Sequence, residues 1–150
     1  MSLRKPWVVL LAVVAAASLS ACAKAEDSAA AAEKPYKLEL ISEEENLNRL
    51  TLEPEPIERI GIQTEKVGLL ARFGGESQRT TVPYSALLYD HTGAGFVYTN
   101  PEPRVYVRHP VTVDYVEDQL VVLVAGPPRG TDVVTVGGAE LQGIEFGVGK

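Results

Sequence analysis

Residues 105–124, VYVRHPVTVDYVEDQLVVLV, decide the fold class. Val105-Tyr106-Val107 and Leu120 to Val124 are β-branched, aromatic or apolar almost throughout. Between them Val111, Val113 and Tyr115 alternate with Thr112 and Asp114. A strand points successive side chains to opposite faces, so this repeat of two makes one face apolar and the other polar. Glu117-Asp118 breaks the pattern and turns the chain.

Working upstream, Phe96-Val97-Tyr98-Thr99 reads as the strand partner of a short apolar run from Ala86 to Tyr89. Asp90 to Gly95 is the hairpin loop between them, with Gly93 and Gly95 available for positive φ. Asn100-Pro101-Glu102-Pro103 is the next turn. Thr80-Thr81-Val82 leads into Pro83, which marks a strand edge because it has no N–H to give a ladder. Downstream, Gly126-Pro127-Pro128-Arg129-Gly130 is a rigid loop and Asp132 to Val136 the last clear strand. Strands at such regular spacing predict an all-β barrel or sandwich.

The first half is less regular. Leu50-Thr51-Leu52 is a short strand, and Pro56 opens a single helical turn through Ile60 that Gly61 stops. Extended character resumes from Ile62 to about Phe73, and Gly74-Gly75 turns the chain. Tyr36, Leu38 and Leu40 alternate, then the sequence becomes acidic. From Glu26 to Glu58 there are ten acidic and three basic residues, read as a solvated leader to the domain. Residues 23–35 are Ala-, Ser- and charge-rich with no apolar face, and are read as a flexible tether.

Leu19-Ser20-Ala21-Cys22 follows a basic start at Arg4 and Lys5 and an apolar run from Trp7 to Ala17. That order is a secretory signal ending in a bacterial lipobox, whose cysteine takes a diacylglycerol before cleavage in front of it. The apolar run is shorter than the 18 or so residues of a membrane span. The expected organisation is therefore a signal peptide over 1–21, a lipidated Cys22 with an acidic tether to 47, and one β domain over 48–150. The expected location is the cell envelope, lipid-anchored and facing the periplasm or the outer surface. Cys22 is the only cysteine, so no disulfide is available and the fold holds by packing.

The net charge is −6, and losing Arg4 and Lys5 with the leader takes it to −8. No basic stripe exists to neutralise phosphates, which excludes nucleic acid as the expected partner.

From Leu50 onward the chain resembles the periplasmic adaptor (membrane-fusion) subunits of resistance-nodulation-division efflux transporters. One piece is LTLEPEPIERIGIQTEKV (50–67), which looks like their opening segment. The other begins with VPYSALLYDHTGAGFVYT (82–99) and continues through YVRHPVTV (106–113), GTDVVTVG (130–137) and GAELQGIEFG (138–147). This second series is similar to the adaptors' C-terminal membrane-proximal domain. The resemblance implies a small β-barrel related to a permuted Src-homology-3-like fold. It also implies a non-enzymatic accessory that contacts an inner-membrane efflux permease or other adaptor subunits. The helical hairpin, lipoyl-like module and second barrel of a full adaptor are missing. Only about a dozen residues near Leu69 to Arg79 join the two pieces, and a loop of that length closes at low entropic cost.

Physical expectations accompany these phrases. Asp132 is placed to accept backbone amides in the turn after Gly130, and Gly137-Gly138 permits a sharp exit from the last strand. Ala139-Glu140-Leu141 is expected as one helical turn covering an open barrel end. Pro83, Arg104, Arg108 and Arg129 are the candidate partner contacts.

No catalytic residue, cofactor or metal site is expected. The motifs of a nucleophile elbow and a phosphate loop are absent. His91 and His109 lack metal-ligand spacing, and Met1 is the only methionine. The alternative function is a stand-alone periplasmic lipoprotein that binds a metal or a small ligand, the latter in a groove lined by Tyr84, Tyr89, Tyr98, Tyr106 and Tyr115.

Overall fold

In the computed structural model, residues 34–44, 46–71 and 78–147 are described. The leader, Cys22, the tether up to residue 33 and the Gly74-Gly75 turn lie outside the described residues. All described residues belong to one compact unit beginning at Lys34.

The alternating stretches form antiparallel strands in two sheets. The larger sheet takes β1 (Tyr36–Ser42), β2 (Leu47–Leu52), β3 (Gln63–Lys66), β6 (Leu88–Tyr89), β7 (Gly95–Glu102), β8 (Val105–Pro110) and β11 (Asp132–Val136). Its order is β1-β2-β8-β7-β11-β3, with β6 also on β7. The smaller sheet takes β4 (Gly68–Ala71), β5 (Gln78–Pro83), β9 (Thr112–Glu117) and β10 (Leu120–Ala125), in the order β4-β5-β10-β9. A short 3₁₀ turn, Tyr84–Ala86, links β5 to β6. Helix α1 (Pro54–Ile60) lies between β2 and β3, and α2 (Gly138–Phe146) follows β11.

The predominantly β class agrees with the sequence expectation. A single closed barrel does not: among the described residues the two sheets are not joined by a strand ladder. The physical reason is that the larger sheet is covered on both faces. Val97 and Val133 join Val82, Val121 and Leu123 in a cluster against the smaller sheet. Their strand neighbours Phe96, Tyr98 and Val134 join Leu50, Leu52 and Leu141 in a second cluster, against which Ile57 and Ile144 pack from the helices. Strand alternation thus feeds two cores on either side of one sheet. The architecture is small sheet, large sheet, helices.

Helix α2 is the main departure. The single turn expected at 139–141 is nine residues long, and Leu141 is buried against the large sheet, where a barrel end had been expected. Gly137 makes the expected sharp exit, with φ 91° in the left-handed region that favours glycine. Strand structure is also present before residue 48: β1 pairs along β2 from Tyr36↔Leu52 to Ser42↔Leu47. The Tyr36-Leu38-Leu40 alternation supplies that strand, and only its acidic continuation had obscured it.

Candidate interaction surface

Register places several loops at one end of the large sheet. Tyr36 opposes Leu52, whose N–H donates to the Arg104 carbonyl at 3.0 Å in the β7–β8 turn. Val133 opposes Thr99, and Asp132 opposes Lys66. The start of β1, the β7–β8 turn, the end of β3 and the start of β11 therefore share this end. It carries two of the four residues singled out from sequence, Arg104 and Arg129.

Arg104 has φ 68° in its turn. The Asn100 side-chain amide donates 2.8 Å bonds to the carbonyls of Glu102 and Val105 and holds that turn. The Arg104 side chain is 50% exposed and lies 3.7 Å from Glu53. Arg129 is exposed in the loop before β11. That loop is pinned on both sides: the Gly130 N–H donates to Val67 O at 2.9 Å, and the Val67 N–H donates to Thr131 O at 2.8 Å. Buried Pro127 and exposed Pro128 stiffen it further. Both guanidinium groups are thus carried on turns whose backbone is held by hydrogen bonds.

Asp132 is not the turn acceptor expected from sequence. Both of its carboxylate oxygens take bonds from Lys66 Nζ at 3.0 Å. The reason is the ladder itself, which sets Asp132 directly opposite Lys66.

Pro83 sits elsewhere, half-buried at the end of β5 and opposite Leu120. The ladder between β4 and β5 reaches only Thr81, so the missing N–H of Pro83 removes no bond on that side.

Arg108 is corrected most strongly. Its side chain is 12% exposed and its guanidinium is 3.2 Å from the Glu145 carboxylate, itself 1% exposed. It also donates to the Asn46 carbonyl at 2.6 Å and lies over the rings of Phe96 and Phe146. Glu145 accepts further bonds from Tyr98 Oη at 2.5 Å and Asn48 Nδ2 at 3.3 Å. Arg108 thus fastens α2 to the sheet and is withdrawn from outward contact. Glu145, which the sequence reading passed over, is the centre of this network; its presence after an apolar Ile144 was the available signal. Burial first, then the bond to Glu145 and its charge, push the Tyr98 phenol far above its usual range.

A cavity of about 190 Å³ is lined by Leu47, Asp90, Ala94, Gly95, Phe96, Arg108 and Pro110. It contains no tyrosine: Tyr98 and Tyr106 are buried in the helix-side cluster, while Tyr84 and Tyr89 are exposed. Ligand pockets for drug-sized molecules are usually larger, about 300–1,000 Å³. Its charged groups are already engaged, Arg108 by Glu145 and Asp90 by its own loop. Asp90 Oδ1 accepts from Thr92 N at 2.8 Å, Thr92 Oγ1 at 2.6 Å and Ala94 N at 3.0 Å. Among the described residues no group of three or more His, Cys, Asp or Glu is arranged to hold a metal ion. No helix among them is long and apolar enough to cross a membrane.

Comparison with family models, curated proteins and solved structures finds no match.

Proposed function

We propose that this chain is a membrane-anchored lipoprotein acting as a non-enzymatic accessory of an efflux transporter, touching the permease or another adaptor subunit through its β domain. The lipobox at Cys22 supports the anchor. The adaptor-like phrases between residues 50 and 147 support the kinship, with the membrane-proximal module as the finer reading of the fold.

One observation carries the proposal. The piece that resembles the adaptors' opening segment is bonded to the piece that resembles their closing domain: β2 on β8 through Arg49↔Val107 to Thr51↔Val105, and β3 on β11 through Lys66↔Asp132 to Gln63↔Val136. A spliced module requires that pairing, whereas chance phrases do not. Arg104 and Arg129 supply the contact end, which the start of β1 shares.

Photo-crosslinking amino acids installed separately at Arg104 and Arg129 in cells test the reading. The expected result is an adduct yielding peptides of an inner-membrane transporter or an adaptor subunit. Adducts from neither position, with the protein normally exported and abundant, would contradict it.

A further inference from the structure

Strand β1 presents an open edge. Among the described residues its only strand partner is β2. Leu38, Leu40 and Ile41 are 38%, 54% and 48% exposed. Proteins normally shorten, charge or cover such an edge, because its free N–H and C=O groups template another strand. The backbone phase of β1 is fixed by one bond, from the Glu53 N–H to the Pro35 carbonyl at 3.0 Å. Polar backbone groups alternate in direction along a strand, so those of Tyr36, Leu38 and Leu40 face the open edge.

We propose that this edge joins two copies of the chain, with β1 pairing antiparallel to itself about a two-fold axis at Leu38. The outward groups of the two copies meet only in registers that oppose residues of like parity, which centres the axis on a residue. An axis at Glu39 would set two carboxylates opposite each other, and one at Lys37 two ammonium groups. An axis at Leu38 sets Lys37 opposite Glu39 twice, Tyr36 opposite Leu40, and Leu38 opposite itself. Opposite charges facing across strands stabilise pairing and like charges oppose it.

Both faces of the sheet continue across that axis. On the charged face Glu102 lies 3.4 Å from Arg49, Arg49 opposes Glu39, and Glu39 lies 2.7 Å from Lys37. Lys37 holds the Glu39 carboxyl below its ordinary range. The second copy's Lys37 adds the next positive charge to this alternating row. On the apolar face Leu38 opposes Leu50, which is buried in the helix-side cluster, and Tyr36 packs against the same cluster. Two such rows meet at Leu38 and cover the exposed leucines. The interface is isologous and closes at two copies. It stands independently of the transporter reading.

Single cysteines at residues 37–40 of the full chain in its own membranes, oxidised and run without reductant, read the register. The unsubstituted chain with Cys22 alone is the blank. Leu38→Cys is expected to give the most disulfide dimer, because facing Cα atoms of such a pair lie about 5.5 Å apart, within disulfide reach. A maximum at Glu39→Cys, equal yields at every position, or no dimer at any would overturn the proposal. Lys37→Glu and Glu39→Lys, sedimented separately as detergent-solubilised full chain, are each expected to weaken self-association about tenfold, since two facing pairs change sign. The double exchange is expected to restore it. Unchanged association in both single variants, or no recovery in the double, would equally overturn it.

Discussion

Glu145 is the residue on which the helix side of the molecule turns. Its carboxylate is almost wholly buried and is shared by Arg108, Tyr98 and Asn48. Removing one member of a buried ion pair leaves the other uncompensated, at about 3 kcal/mol or more. Glu145→Ala is therefore expected to lower unfolding stability by about 3 kcal/mol in urea titrations. Asp132→Asn, which breaks the exposed pair with Lys66, is expected to cost under about 1 kcal/mol. Equal losses would contradict the distinction. Tyr98 adds a pH signature. Its folded phenol ionises far above the ordinary value near 10, while in the unfolded chain it ionises near that value. The stabilisation is complete below about pH 10 and falls above it, by about 1.4 kcal/mol per pH unit. Tyr106, raised by burial, acts in the same direction. Tyr98→Phe is expected to flatten the alkaline decline seen in urea titrations between pH 9 and 11; an unchanged slope would contradict its burial as a protonated phenol.

At the scale of elements, legibility followed the range of the signal. Strands β7 to β11 were readable because alternation is local: Val111, Val113 and Tyr115 do face inward relative to Thr112, Asp114 and Val116. Helix α2 was readable only as a single turn, since Gly138 and Gly143 weaken a helical pattern. Its position over the sheet depends on Leu141 reaching strands distant in sequence. The role of Arg108 was hidden for the same reason, because its partner lies 37 residues downstream. The end shared by Arg104 and Arg129 depends on strand register, which spacing alone does not fix. Gly137 was readable, and it is the junction that aims α2. A Cβ there would lie 2.8 Å from Ile60 Cγ2 and 2.9 Å from Ile62 Cγ1, at φ 91°. Gly137→Ala is expected to cost about 2 kcal/mol in thermal or urea unfolding. Gly130→Ala, at φ 86° with nothing within 4 Å, is expected to cost only the backbone strain, about 1 kcal/mol. The reverse order would contradict the account of that junction.

The described residues form a β unit whose middle sheet is shared by two cores, and this explains the apolar run at Val133-Val134. Each valine is buried on a different face, as in a sheet covered on both sides. In the proposed role, packing carries the fold and Cys22 carries the anchor. The proposed role requires that anchor before any partner is met. Mass spectrometry of the intact protein isolated from membranes tests it most directly. The expected mass is that of residues 22–150 bearing a diacylglyceryl thioether on Cys22, with or without a further acyl chain on its amine. A chain that retains residues 1–21, or one cleaved elsewhere with an unmodified cysteine, would contradict the account.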